Sequence, residues 1–253
     1  MIPAERQRTI LSLLSKQEVA SINELVETLA VSHMTIRRDI AKLEQQGKVL
    51  SVSGGVQLTQ LIHQEASHEA KSILQASEKI SIGTLASQII PEDSTVYLDA
   101  GTTILEVAHA IASRDDLLII TNDFVIANYL IQDGKSEIYH TGGRIDRENK
   151  SCVDSKVADF LSTMNIDIAF VSTSSWNLKG LSTPSESKVV VKQAIAKASQ
   201  NLVLVSDSSK YGKVGTFHAL DIKEFNSIIT DDKFPQSVKE ELEEIGINIL
   251  IAN

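Results

Sequence analysis

Five short runs of this sequence carry residue types that can hold a ligand. They are Asp99-Ala-Gly101-Thr102-Thr103, Thr121-Asn122-Asp123, Thr141-Gly142-Gly143-Arg144, Ser172-Thr-Ser174-Ser175 and Asp207-Ser-Ser-Lys210-Tyr-Gly212. Glycine and hydroxyl turns offer backbone N–H donors, a lysine offers positive charge, and a carboxylate accepts from ligand hydroxyls. Together these suit a small polyhydroxylated anion, most simply a sugar phosphate. One such turn is ordinary loop composition, but five at successive ends of apolar segments point to one shared crevice. The candidate ligand contacts are Asp99, Gly101, Thr102, Thr103, Thr121, Asn122, Gly142, Gly143, Ser174, Asp207 and Lys210, with Glu186 and Lys192 from a helical stretch. The bland alternatives are a plain helix cap for Asp99 and packing for Trp176, the only tryptophan.

A second chemistry sits near the N-terminus, in Ser32-His33-Met-Thr35-Ile-Arg37-Arg38-Asp39 followed by Gly54-Gly55. Two adjacent arginines on the outer side of a short capped helix, with a glycine hairpin behind it, match a winged helix-turn-helix reading the major groove of DNA. Ser32, His33, Thr35, Arg37, Arg38, Gly54 and Gly55 are the candidate DNA contacts.

The elements that must position these residues follow from periodicity. Pro3–Lys16 reads as a first helix, and Ser21 with Glu24 forms a capping box opening a second helix through Ala30. Ser32 caps the third helix, whose Ile36, Ile40 and Leu43 turn inward at helical spacing and leave the arginines outside. Gly47 ends that helix, and Lys48–Leu58 reads as a two-stranded wing. Residues 59–75 are polar with little periodicity and read as a partly helical linker. Beyond them, apolar strands at 95–99, 117–121, 137–140, 167–171, 202–206, 227–230 and 247–251 alternate with helical patterns, which predicts a largely parallel α/β sheet. The expected organisation is a winged helix-turn-helix domain over 1–58, a linker over 59–75 and an α/β effector-sensing domain over 76–253. In such a sheet, ligands bind outside the carboxyl ends of the strands, where all five runs fall.

Composition narrows the classes. A chain of 253 residues that is 42% hydrophobic can bury a sizeable core. It contains no apolar run long enough to span a membrane, and its first residues do not read as a secretory leader. The single cysteine, Cys152, reads as a small buried residue and fits a reducing, cytoplasmic setting. His63, His68, His109, His140 and His218 lack metal-ligand spacing, so neither a metal nor a cofactor is expected.

The net charge of −9 is unevenly spread. Residues 1–58 hold seven basic residues (Arg6, Arg8, Lys16, Arg37, Arg38, Lys42, Lys48) against six acidic ones (Glu5, Glu18, Glu24, Glu27, Asp39, Glu44), leaving seventeen basic and twenty-seven acidic in the remainder. The molecule as a whole repels DNA at long range, so affinity must come from a local patch and from more than one head. A homo-oligomer, dimer or tetramer, is the expectation.

Over essentially its whole length the sequence resembles the DeoR family of bacterial sugar-catabolism repressors. The resemblance is carried by Met34-Thr-Ile-Arg-Arg-Asp39, Gly54-Gly55, Glu78-Lys79, Asp99-Ala-Gly-Thr-Thr103, Thr121-Asn122, Gly142-Gly143 and Asp207-Ser-Ser-Lys-Tyr-Gly212. It implies a winged-helix head on a sensor related to ribose-5-phosphate isomerase, a phosphorylated sugar-like effector, a double-stranded DNA operator and an oligomeric repressor. Three positions depart from the family pattern: Ser51 stands where an arginine is usual before the wing glycines, Ser172-Thr-Ser-Ser-Trp176 replaces a glycine-rich turn, and Lys188 stands where a glutamate is usual four residues before Lys192. The extra lysine suits a more acidic ligand, such as a sugar acid phosphate. The alternative is a sugar-phosphate isomerase fused to a DNA-binding head, with Asp99 or Glu186 and Lys192 or Lys210 as acid–base groups. No further acid–base pair supports it, so no enzyme activity is expected.

Overall fold

The computed structural model describes residues 1–17, 19–52 and 54–253. The chain divides into two compact units, Met1–Gln60 with Pro235–Glu241, and Leu61–Phe234 with Leu242–Asn253.

In the first unit, α1 (Pro3–Gln17), β1 (Val19–Ser21), α2 (Ile22–Leu29), α3 (His33–Gln45), β2 (Val49–Val52) and β3 (Gly55–Leu58) form three helices and a small antiparallel sheet in the order β1-β3-β2. Ser21 and Ser32 cap their helices as the sequence predicts, but the Ser21–Glu24 box closes on one side only, because Glu24 Oε1 accepts from Gln17 Nε2 at 2.8 Å. The Ser21 hydroxyl accepts from the Glu24 amide at 3.1 Å, and the Ser32 hydroxyl from the Thr35 amide at 3.3 Å. Ile10, Leu14, Leu25, Ile36, Leu43 and Val56 meet in one core. Gly55 is needed in the wing because a Cβ there would lie 2.5 Å from the Ala20 carbonyl oxygen. Ser53, within the stretch read from sequence as the wing, and Glu18 lie outside the described residues.

Asp39 follows the two arginines but turns the other way. It is buried and ion-paired with Arg6 of α1, which is itself 8% exposed, and it accepts from Gln7 Nε2 at 3.1 Å. The pair ties α1 to the inner face of α3, and Arg37 and Arg38 remain exposed.

The second unit runs β4 (Gln60–Ile62), α4 (His68–Ser72), α5 (Ala76–Gln88), β5 (Thr95–Leu98), α6 (Thr102–Ile111), β6 (Leu118–Thr121), α7 (Phe124–Asp133), β7 (Glu137–His140), β8 (Arg144–Asp146), β9 (Ser151–Val153), α8 (Ser155–Leu161), β10 (Ile166–Val171), β11 (Ser175–Asn177), β12 (Gly180–Thr183), α9 (Glu186–Ala198), β13 (Ser199–Val205), β14 (Lys213–Gly215), β15 (Phe217–Asp221), β16 (Ser227–Asp231), α10 (Gln236–Glu244) and β17 (Asn248–Ala252), though β4 and α10 straddle the division. Seven parallel strands form the main sheet in the order β17-β16-β13-β10-β5-β6-β7. Its strands are apolar on both faces because helices cover both, with Ile82, Val96, Leu98, Phe170, Val203 and Ile229 in the core.

The strand order reverses beside β5. From β5 the chain moves outward through β6 to β7, then returns with β10 on the opposite side of β5 and continues outward to β17. The loops after β5 and β10 therefore diverge and leave a crevice at the carboxyl edge of the sheet. Trp176, read from sequence as a packing residue, is not part of the crevice lining. It is fully buried, stacked on Phe234 with ring centroids 5.4 Å apart, and its Nε1 donates to Ser206 Oγ at 3.1 Å.

Replacing Asp39 by alanine leaves Arg6 buried without its partner. Such losses cost about 3–5 kcal/mol, so urea unfolding of Asp39→Ala is expected to show the head melting well before that of the parent protein.

Candidate effector site and DNA-binding face

The crevice at the strand reversal has an empty volume of about 790 Å³, part of it open to solvent. One wall is the loop after β5 and the first turn of α6, Asp99 to Thr103; the other includes Ser172, Thr173 and Ser174 after β10, with Lys188 and Lys192 from α9. Lys192 is 7% exposed and bridges the two walls. Its Nζ is ion-paired with the carboxylate of Asp99, itself 2% exposed, and donates to the Ser172 carbonyl at 2.7 Å. The same carboxylate accepts from the Ser172 amide at 3.0 Å. Gly101 is required at this meeting point, since a Cβ would lie 2.6 Å from Ser172 Oγ.

The rest of the lining is strongly cationic. Five lysines (Lys71, Lys79, Lys188, Lys192, Lys210) face two carboxylates, Glu65 and Asp99. Glu65 is held by Lys188 at 2.6 Å and Lys71 at 3.5 Å, and accepts from Ser174 and Thr183 hydroxyls at 3.1 and 3.3 Å. Burial alone would push its carboxyl up, but the Lys188 and Lys71 charges prevail and hold it at about 2. Burial pushes Lys79 and Lys71 below the ordinary lysine range, with Asp207 opposing the shift at the first and Glu65 at the second. Lys210 lies 3.7 Å from Asp207.

Two buried polar atoms of the lining, His68 Nε2 and Ser151 Oγ, have no hydrogen-bond partner among the described residues. Burial and then the nearby Lys150 and Lys71 lower the His68 pKa, so its ring is neutral at pH 7. A neutral imidazole and a hydroxyl left without protein partners are equipped to meet ligand hydroxyls.

Of the predicted ligand contacts, Asp99, Gly101, Thr102, Thr103, Asn122, Ser174, Lys192 and Lys210 line this crevice. Thr121, Gly142, Gly143, Glu186 and Asp207 are placed elsewhere, with visible local roles for most. Thr121 Oγ1 accepts from the Asp123 amide at 3.1 Å, and the Gly142 amide donates to His140 Nδ1 at 3.1 Å. The Gly142-Gly143 turn follows β7, the edge strand farthest from the reversal on its side. Glu186 is exposed on the first turn of α9, and Asp207 caps a 3-10 turn by accepting from the Ser209 amide at 3.2 Å. Glu65, His68, Lys71, Lys79 and Lys188 line the crevice without having been singled out as contacts. Three of them come from the polar stretch expected to be a linker, where no periodicity marks them. Two carried a sequence signal, Lys79 within the Glu78-Lys79 pair that bears the family resemblance and Lys188 as a departure from the family pattern.

On the head, Arg37 and Arg38 are exposed on α3. His33 Nε2 is bonded to Asn23 Oδ1 at 2.9 Å, and the Ser32 and Thr35 hydroxyls lie 3.0 Å apart. Ser51, at the place of the expected wing arginine, uses its amide and hydroxyl on the Glu44 carboxylate, both at 2.8 Å. Gly54, at φ +74°, takes the left-handed conformation of the wing turn.

Residues 6–61 match the DeoR-like helix-turn-helix domain, and residues 74–232 match the DeoR C terminal sensor domain. The chain belongs to the DeoR family. This DeoR-family chain is 54% identical to an uncharacterized HTH-type transcriptional regulator of Haemophilus influenzae over 99% of its length and 98% of the relative's. It is 48% identical to the uncharacterized HTH-type regulator YgbI of Escherichia coli K12, covering 100% and 99% of the two chains, and 31% identical to the glycerol-3-phosphate regulon repressor of the same organism, covering 98% and 99%. It is a DeoR-family transcriptional regulator rather than an enzyme, and the isomerase alternative falls away.

Asp123, which is tied to the crevice wall through the Gly101 amide, supplies a pH test. It caps α7, accepting from Val125 and Ile126 amides at 2.7 and 3.0 Å and from the Gly101 amide at 3.2 Å. Burial, with the Asp99 charge adding to it, outweighs these donors and raises its carboxyl to about 6. The folded state then binds a proton that the unfolded chain, titrating near 4, has lost. Stability attributable to this group falls as pH rises from about 4 to about 6. Asp123→Asn is expected to flatten the dependence of the urea midpoint across that window; an unchanged slope would show that the three amides dominate.

Proposed function

We propose that this regulator is a repressor of a sugar or sugar-acid catabolic operon, relieved when a phosphorylated sugar-like anion enters the crevice at the strand reversal. The observation that carries the reading is the surplus of lysines over carboxylates in the crevice, beside the unpartnered His68 Nε2 and Ser151 Oγ. A phosphate belongs at the first turn of α6, where Gly101, Thr102 and Thr103 line the crevice and helix N-termini favour anions. Lys210 supplies charge, while Asn122, His68 and Ser151 meet hydroxyls. The repressor relative at 31% identity agrees with this reading.

Operator DNA is bound by Arg37 and Arg38 in the major groove, with Ser32, His33, Thr35 and the Gly54-Gly55 wing beside them. The head is almost neutral and the remainder acidic, so specific affinity comes from two or more heads in a cytoplasmic homo-oligomer. The effector acts only through a difference in affinity between two arrangements of that oligomer.

A folded Arg37→Ala/Arg38→Ala protein is expected to lose operator binding by two or more orders of magnitude, since a good base contact is worth roughly 1–3 kcal/mol and the phosphate contribution adds to it. Undiminished binding in a gel-shift titration would refute the assignment. Lys210→Ala is expected to bind operator normally but no longer release it when a phosphorylated sugar that stabilises the parent protein is added. Normal release at unchanged effector affinity would move the anion site away from Lys210.

A further inference from the structure

The environment of Glu65 is that of a carboxylate receptor. Two ammonium groups, Lys188 and Lys71, and two hydroxyls, of Ser174 and Thr183, converge on one carboxylate whose side chain is 10% exposed. The parts differ in how they are built. Thr183 ends β12, Ser174 precedes β11 in the small sheet β11-β12-β15, Lys188 is on α9, and Lys71 is on α4, where its ammonium also donates to Asn149 Oδ1 and its carbonyl accepts from Lys79. Glu65 lies in the irregular stretch between β4 and α4, and the five-residue α4 after it is anchored by the His68 amide to the Glu148 carbonyl at 2.9 Å. A framework of regular elements thus holds an acid that a short irregular strap inserts.

We propose that Glu65 occupies a second anionic subsite of the effector crevice, and that the effector is a phosphorylated sugar acid whose own carboxylate displaces it. The inference rests on the effector reading above and adds the second charged end of the ligand. Exchange of one carboxylate for another keeps Lys188 and Lys71 paired and returns Glu65 to water. A sugar phosphate without the acid has a neutral group at that end. Displacing Glu65 with it would strand two partly buried ammonium groups, a large cost. The subsite therefore selects for acid at one end while the α6 turn and Lys210 hold phosphate at the other. The strap that Glu65 releases continues directly from Gln60 along the chain, so the acid ligand, unlike the neutral one, acts on the segment following the head.

The test uses matched pairs on the full-length protein: ribose 5-phosphate against 5-phosphoribonate, and glucose 6-phosphate against 6-phosphogluconate, with inorganic phosphate as reference. Calorimetry is expected to show the acid of a pair binding about tenfold or more tighter than its sugar, the tax of a filled subsite being met only by a matching charge. Hydrogen exchange of amides 63–67, between β4 and the anchored α4, is expected to accelerate when the acid binds and not when the sugar binds. In Glu65→Gln the same amides are expected to exchange faster without ligand, with no further acceleration on adding acid. Acid binding that leaves the strap equally or better protected would overturn displacement and make Glu65 a fixed part of the cradle. Sugars binding as tightly as their acids would overturn the second subsite alone. Binding of neither class would instead overturn the effector reading itself.

Discussion

The Nζ atom of Lys192 sits where three parts of the sensor unit meet: the end of β5 at Asp99, the loop after β10 at Ser172, and helix α9. Charge this deep is tolerated only when paired and hydrogen-bonded, and a buried ion pair with one member removed leaves an expensive orphan. Each member therefore holds the other in place, and with them the two loops that diverge at the strand reversal. The Gly101 backbone must pass close to Ser172 to complete this arrangement, which leaves no space for a side chain. The crevice is thus less a gap between loops than a cavity whose walls are pinned by one ion pair.

That pairing also decides the sign of what remains. With Asp99 committed to Lys192 and Glu65 shared between Lys188 and Lys71, Lys79 and Lys210 have no further carboxylate in the lining and face Asp207 behind it. An acidic protein of net charge −9 in this way presents a locally positive site to a small anion. The head uses the same device in reverse. Burying Asp39 against Arg6 removes an acid from the surface of α3, where Arg37, Arg38 and Lys42 are exposed. In both units a local field is made by folding opposite charges inward, where long-range repulsion by the whole molecule matters little.

The strap carrying Glu65 gives such a regulator a way to sense its ligand without large rearrangement of the sheet. A ligand shifts an equilibrium only through unequal affinity for two states. A group that competes with the protein's own carboxylate binds the strap-released state by construction, because the subsite cannot hold both.

Much of this protein is written locally in its sequence. Ser21 with Glu24 and Ser32 with Thr35 mark helix starts through hydrogen bonds three residues apart, Ile36, Ile40 and Leu43 mark an inner face, and doubly apolar strands between helical stretches mark a parallel sheet. These signals need only neighbours, so the head, the alternation of strands and helices, and the runs that cap the strands were all legible. The partnerships of the site were not. Asp99 and Lys192 are 93 residues apart, and Glu65 and Lys188 are 123 apart. Which strand-end loop opens on the crevice depends on where the strand order reverses, and no single run records that. Gly142-Gly143 looks like a ligand turn but follows an edge strand, while Glu65, His68 and Lys71 lie in a polar stretch without period and yet line the crevice. Sequence determined which residues could bind an anion; the order of strands in the sheet decided which of them face it, because only tertiary packing brings distant charges close enough to pair.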